Sequence, residues 1–247
     1  MEELFRLGAH EIHVWSMRLD LPHVVLSRLE STLSPEEASQ AGRFRFAADR
    51  DRYVAAHGLL RVLLANYLGT SPGRVALIAA SGGKPRVARP ESLRFSLSHA
   101  ATMALVAVSA DREVGIDLEQ IGEVDDLGRL AETCFSPAEV ATLASLPKSQ
   151  RLRAFYAGWT RKEAFLKATG DGLSRPLSSF AVSLPPDEPP RLLHVQGDPR
   201  APERYWLVAL EPAAGYVGAL AVDGPPATIR WHREDALSSL WRTSIAA

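Results

Sequence analysis

The sequence predicts a mixed α and β fold made of two similar halves. Three observations lead there. First, Ser34-Pro35-Glu36-Glu37 and Ser136-Pro137-Ala138-Glu139 repeat one helix-start signal. Each has serine at the N-cap, proline at the first helical position and glutamate at the third, the arrangement of a capping box. Second, Gly69 and Gly170 follow these serines at nearly the same distance and read as C-cap glycines. Each block therefore opens a short helix and closes a longer one. Third, each block is followed by strand-like runs, which places the boundary between the halves near 110–112.

Taken in order, residues 11–17, Glu-Ile-His-Val-Trp-Ser-Met, alternate like a strand. The first helical block covers 34–69. Residues 103–109, Met-Ala-Leu-Val-Ala-Val-Ser, read as a buried strand. Residues 113–119 read as its hairpin partner, with Ala110-Asp111-Arg112 at the turn. The second helical block covers 136–170. Later strands are expected at 180–184, 204–210, 216–222 and 228–232. Residues 183–202 contain six prolines and read as a surface loop. The expected division is 1–111, 112–222 and a C-terminal extension, 223–247, that opens Asp-Gly-Pro-Pro and carries no assigned function.

The 247 residues are 46% hydrophobic, enough for one large or two small cores. A net charge of -1 excludes a chain built as a whole to hold nucleic acid. The single cysteine, Cys134, excludes an intrachain disulfide and a cysteine-rich zinc site, and fits a reducing cytosol. The opening stretch, MEELFRLGAHEIHVW, lacks the basic start and apolar core of a signal peptide. No apolar run is long enough to span a membrane. A cytoplasmic protein is expected.

Two acidic clusters carry the chemistry. In Gly115-Ile116-Asp117-Leu118-Glu119, an extended strand puts Asp117 and Glu119 on one face. In Trp159-Thr160-Arg161-Lys162-Glu163-Ala164-Phe165-Leu166-Lys167, a helix puts Glu163 and Lys167 on one face. If the two elements meet, three carboxylates and one ammonium converge. That set suits a hard cation such as Mg²⁺, with a cation left for phosphate. Taken singly, each cluster is ordinary: charges at a strand end, and an i,i+4 salt bridge on a helix. Spacing alone does not bring them together.

Other segments are weaker on their own. Ser81-Gly82-Gly83-Lys84-Pro85 lacks P-loop spacing and reads as a turn. Ser96-Leu97-Ser98-His99 leads into the buried strand, with no aspartate evidently poised to complete a triad. Arg43-Phe44-Arg45-Phe46, with Arg50 and Arg52, is basic and aromatic, but Asp49 and Asp51 dilute it toward a solvated helix face.

In order along the chain, these pieces resemble the 4′-phosphopantetheinyl transferases of the surfactin-synthetase-activating (Sfp) type. The family pattern is a Gly-Lys-Pro turn, a Ser-His segment, a Gly-Ile/Val-Asp strand and Trp-x-x-Lys-Glu-Ala-x-x-Lys. Here these are Gly83-Lys84-Pro85, Ser98-His99, Gly115-Ile116-Asp117 with Glu119, and Trp159 through Lys167. The last motif, followed by Gly170-Asp171-Gly172-Leu173, is the most specific, and the matches run from about 34 to 184.

The resemblance implies an α+β pseudo-dimer of two α/β subdomains in one chain. It implies transfer of the phosphopantetheine arm of coenzyme A to a serine of an apo acyl or peptidyl carrier protein, releasing adenosine 3′,5′-bisphosphate. Polyketide and nonribosomal-peptide carriers fall within that class. It also implies that Asp117, Glu119 and Glu163 hold Mg²⁺, with Mn²⁺ as a substitute. Glu163 would be the general base, and Lys167 would act on the phosphates and the leaving group. Arg52, Lys84, Pro85, Ser98, His99, Asp117 and Lys167 would bind coenzyme A, with Arg52 and His99 nearest the 3′-phosphate. Two departures stand out. Glu36 and Glu37 occupy a region where family members often carry lysine, and Arg86 follows the Gly-Lys-Pro turn where an apolar residue is common.

The competing readings are a catalytically silent binder of coenzyme A or carrier protein and, from the arginines at 43–52, a nucleic-acid-binding domain. The full set Asp117, Glu119, Glu163 and Lys167 argues against the first, and the net charge against the second. A monomer is expected, because a pseudo-dimer needs no partner to complete its site.

Overall fold

The computed structural model describes residues 2–80, 82–185 and 187–233. Both capping boxes form. Ser34 Oγ accepts the Glu37 N–H at 3.2 Å, and Glu37 Oε2 accepts the Ser34 N–H at 2.9 Å. Ser136 and Glu139 repeat the exchange at 3.4 and 2.8 Å. These boxes start α2 (Pro35–Ala41) and α5 (Pro137–Ser145). The preceding short helices are α1 (His23–Glu30) and α4 (Leu127–Cys134).

A longer helix follows each box: α3 (Ala47–Leu68) and α6 (Lys148–Thr169), of 22 residues each. They end at Gly69 and Gly170, whose φ angles of 60° and 76° lie in the left-handed region that glycine enters without penalty.

The strands are β1 (Glu11–Arg18), β2 (Leu77–Ala79), β3 (Pro85–Val87), β4 (Arg94–Ala100), β5 (Met103–Ser109) and β6 (Val114–Gln120). Then come β7 (Phe180–Val182), β8 (Leu192–Val195), a short helix α7 (Ala201–Arg204), β9 (Tyr205–Leu210), β10 (Tyr216–Asp223) and β11 (Thr228–Arg233). One sheet has the order β11-β1-β5-β4 and a second the order β6-β10-β9. Two small hairpins, β2-β3 and β7-β8, flank them.

Each half has its own core. Trp15, Leu29, Leu60, Leu63 and Phe95 pack the first, and Phe135, Phe155, Phe165 and Phe180 pack the second. A third cluster, with Ile12, Val14, Leu105, Ile116, Leu118 and Leu220, joins the two sheets. Each such side chain removed from water contributes roughly 1.5–3 kcal/mol, so the junction is a true core.

Two expectations change. The strand at 113–119 is not the hairpin partner of 103–109. Both edges of β5 are taken, by β1 and β4, so the turn at 110–113 carries the chain into the other sheet, where β6 pairs with β10. The proline-rich stretch 183–202 is not all loop, because Leu192 and Val195 point inward and let β8 pair with β7. The strand expected at 228–232 forms as β11, inside the segment set aside as an extension, and pairs in parallel with β1 from Glu11↔Thr228 to Ser16↔Arg233. His232 stacks on Trp15 there at 4.2 Å. The rest of that extension, 234–247, lies outside the described residues.

The contact that builds the site is between β6 and α6. A Cβ on Gly115 would lie 2.0 Å from the Ala164 carbonyl oxygen and 2.3 Å from the Ala168 nitrogen. Only a residue without a side chain lets the helix rest on the strand at that distance. The β6 strand also meets β4, where Ser96 Oγ accepts the Ile116 N–H at 3.1 Å.

Candidate active site

Helix α6 presents Trp159, Glu163 and Lys167 at i, i+4 and i+8, on the stripe that faces β6. Strand β6 presents Asp117 and Glu119 at i and i+2. Strand β4 adds Ser98 and His99. The Gly115 contact seats α6 on β6, and the Ser96–Ile116 hydrogen bond holds β4 beside them.

At the centre lies Asp117, 4% exposed. Its Oδ1 accepts from Ser98 Oγ at 2.9 Å and from Lys167 Nζ at 2.7 Å. Lys167 also donates to Ser98 Oγ at 2.9 Å, closing a triangle. The other carboxylate oxygen, Oδ2, is buried without a partner. Such an orphan is costly unless something electropositive meets it.

Burial pushes the Asp117 carboxyl above its usual range, against the pull of Lys167. Burial and then the charge of Asp117 push Glu119 and Glu163 up as well. Glu119 and Glu163 therefore both feel the charge of Asp117, and Lys167 does not offset it. Their oxygens do not already surround one point. Among the described residues, no three His, Cys, Asp or Glu side chains are grouped to hold a metal as they stand. Lys167 occupies Asp117 Oδ1, and Trp159 Nε1 donates to Glu119 Oε1 at 3.1 Å. The donor set still fits a hard divalent cation, being all oxygen, over-charged and holding one unpartnered buried oxygen.

A cavity of about 440 Å³ opens beside this centre, walled by His57, Lys84, Pro85, His99, Glu163 and Lys167. One wall is backbone. A Cβ on Gly82 would fall 1.9 Å from the Gly170 carbonyl oxygen, so the loop before β3 and the end of α6 touch main chain to main chain. The volume suits a nucleotide-sized ligand.

A model of the 4′-phosphopantetheinyl transferase superfamily matches residues 113–221, and a 4′-phosphopantetheinyl transferase N-terminal model matches 23–111. The 4′-phosphopantetheinyl transferase HetI of Nostoc is 40% identical over 221 residues, covering 88% of this chain and 90% of the relative. The chain belongs to the 4′-phosphopantetheinyl transferases. A putative member from Synechocystis is 33% identical, covering 71% of this chain and 70% of its own. The Bacillus subtilis transferase Sfp is 29% identical, covering 65% and 70%. The protein is therefore an enzyme that transfers the 4′-phosphopantetheine arm of coenzyme A to a carrier protein. No comparison supports the silent binder.

In this transferase, the cation-bearing wall differs from its sequence outline. Lys84 Nζ donates to Glu113 Oε2 at 2.8 Å and to the Val114 carbonyl at 2.9 Å, leaving one donor for a ligand. Burial lowers its pKa, against the raising effect of Glu113. Arg86 and Arg94 reach the same carboxylate at 2.9 and 2.7 Å.

Arg52 is not in the cavity wall. Its guanidinium pairs with Asp49 at 3.2 Å. The residue that faces the cavity from α3 is His57, which the sequence reading missed. His57 stacks on Tyr53 at 4.0 Å, and its Nδ1 lies 3.5 Å from Glu37 Oε1. Burial, then the charges of His57 and Lys167, hold the His99 pKa down.

Glu37, which stands where lysine is common, has a structural task. Burial pushes its pKa up, but His57, the Ser34 N–H and Arg61 outweigh that and hold it at about 2. A signal existed in the sequence: His57 and Arg61 lie one turn apart on α3, a residue pair able to reach a single carboxylate.

Proposed function

We propose that Glu163 takes the proton of the carrier serine and that Lys167 stabilises the departing adenosine 3′,5′-bisphosphate. The serine oxygen bonds to the phosphorus that carries the pantetheine arm, and the P–O bond to the nucleotide breaks. The raised pKa of Glu163, driven by burial and by Asp117, supports its role as proton acceptor. Lys167 gives two hydrogen bonds to Asp117 and Ser98, which leaves a third donor for phosphate. Asp117, Glu119 and Glu163 would hold Mg²⁺ or Mn²⁺, and the bound cation supplies charge neutralisation at the pyrophosphate. The observation that carries the reading is the orphaned, buried Asp117 Oδ2 beside the Lys167 ammonium, a cation able to meet phosphate.

The coenzyme A site we assign to the cavity wall, with Lys84, Pro85, His99 and Lys167 in contact and Ser98 and Asp117 holding Lys167. His57 supports the adenosine side in place of Arg52. We further place the enzyme with the Sfp type, acting on acyl or peptidyl carriers. Both halves of the cavity come from one chain, which supports a working monomer. In the division 1–111 and 112–222, the first half supplies the adenosine side and the second the acidic centre, while 223–233 returns to the first sheet. Among the described residues no helix is long and apolar enough to cross a membrane. Cys134 is a buried free thiol, in keeping with a cytosolic enzyme.

Mass spectrometry of several apo carrier proteins, incubated with enzyme, coenzyme A and Mg²⁺, tests the reading. The expected product is one phosphopantetheine added on the carrier serine. Absence of that mass on every acyl and peptidyl carrier would overturn it.

A further inference from the structure

Trp159 touches the acidic centre through a single polar atom. Its indole N–H donates to Glu119 Oε1 at 3.1 Å. The ring itself is held from behind: it stacks with Phe155 at 6.5 Å and 20° and packs on the core of the second half. Trp159 thus sits on α6, one turn before Glu163, and reaches across to β6. It joins the two elements that carry the carboxylates.

The choice of donor matters. Glu119 faces other acids, and its pKa is raised by burial and by Asp117. A lysine or arginine would fix Glu119 but would also neutralise it. An indole N–H donates one hydrogen bond, accepts none and brings no charge. It fixes one oxygen without adding charge to the carboxylate. Hydrogen bonds of this kind orient metal-binding carboxylates from outside the coordination sphere.

We propose that Trp159 is a positioning residue that orients Glu119 for the divalent cation. The inference rests on the reading of Asp117, Glu119 and Glu163 as metal ligands. Removing the N–H alone should let Glu119 rotate and should weaken the cation without altering the coenzyme A cavity, whose wall does not include Trp159.

The test is Mn²⁺ binding followed by electron paramagnetic resonance, on full-length protein saturated with coenzyme A and without carrier. Three proteins are compared: wild type, Trp159→Phe, and protein in which benzothienylalanine, an isostere without N–H, replaces tryptophan at 159. The isostere keeps the packing on Phe155, so it remains informative if the phenylalanine variant is unstable. Loss of about tenfold to a hundredfold in Mn²⁺ affinity is expected in both. Coenzyme A affinity measured in chelator should be unchanged. Turnover should recover as Mg²⁺ is raised, which purely structural damage would not show. Wild-type Mn²⁺ affinity in the isostere protein would overturn the positioning role and leave the proposed reaction intact. No Mn²⁺ binding by wild type would overturn the ligand assignment and this inference together.

Discussion

Gly115 and Ala164 meet at a distance that no side chain can share. A Cβ on Gly115 would stand 2.0 Å from the Ala164 carbonyl oxygen. Ala164 follows Glu163 directly, and Gly115 precedes Asp117 by two. The missing side chain thus sets the spacing between the acid on the helix and the acids on the strand.

Gly115→Ala should force α6 off β6. Overpacking of this kind costs roughly 1–3 kcal/mol, which corresponds to a fall of several degrees in Tm for a protein of this size. Turnover should fall further than stability does, because Glu163 and Lys167 move with the helix. A thermal melt and a transfer assay on one preparation check both. Wild-type turnover in a folded variant would show that the spacing is not critical.

Chelation should abolish transfer, and Mg²⁺ or Mn²⁺ should restore it. The all-oxygen donor set favours these hard cations over zinc. Full activity in excess chelator, with the protein shown to be free of metal, would remove the cation from the reaction.

Glu163→Gln should lose turnover far more than coenzyme A binding. The amide keeps the size and one carbonyl oxygen but cannot accept the serine proton. Loss of a general base costs on the order of 10²–10⁴-fold. Calorimetric titration of coenzyme A beside steady-state kinetics separates the two effects, and near wild-type turnover would take Glu163 out of that role.

The sequence pointed to Arg52 for the 3′-phosphate, whereas the cavity presents His57. His57→Ala should therefore weaken coenzyme A more than its 3′-dephospho form, by about tenfold for one lost charge-assisted hydrogen bond. Arg52→Ala, which breaks the pair with Asp49, should weaken the two ligands by similar, small factors. A selective loss at Arg52 would return the role to that residue.

Glu37 predicts an acid-sensitive contribution to folding. Its carboxyl is held at about 2 in the folded protein, against 4.5 as the ordinary value. A lowered folded pKa means the unfolded chain takes up the proton first as pH falls. The stabilisation is complete above about pH 4.5 and is lost on the way down to about 2. Glu37→Gln should cost roughly 1.5–3 kcal/mol at neutral pH, and the gap to wild type should close across that window. Denaturant melts at several pH values would show it, and a gap independent of pH would rule out the carboxylate as its source.

Local signals in the sequence carried the helices well. Ser34, Ser136, Gly69 and Gly170 act through bonds to their own neighbours, so their residue types suffice to place them. The same holds for the shared faces of Asp117 with Glu119 and of Glu163 with Lys167. Long-range pairing was less visible. Nothing in 110–113 says whether the chain turns back on β5 or crosses into a second sheet, because that depends on β1 and β4 already filling the edges of β5. Arg52 and His57 show the same limit within one helix. Both lie on α3, and only the neighbouring β4 and α6 decide which of them faces the cavity. Leu192 and Val195 were hidden by the prolines around them, which mark turns and leave the short strand between unannounced.

The parallel pairing of β1 with β11 has a consequence for biosynthesis. On a ribosome, residues 11–18 emerge early, and their partner at 228–233 is made only after the second half. Until then one edge of β1 stands bare, a template for unwanted strand addition. A released chain that ends at residue 227 should carry both halves of the cavity and yet bind chaperones or aggregate more readily than one that runs on through 233.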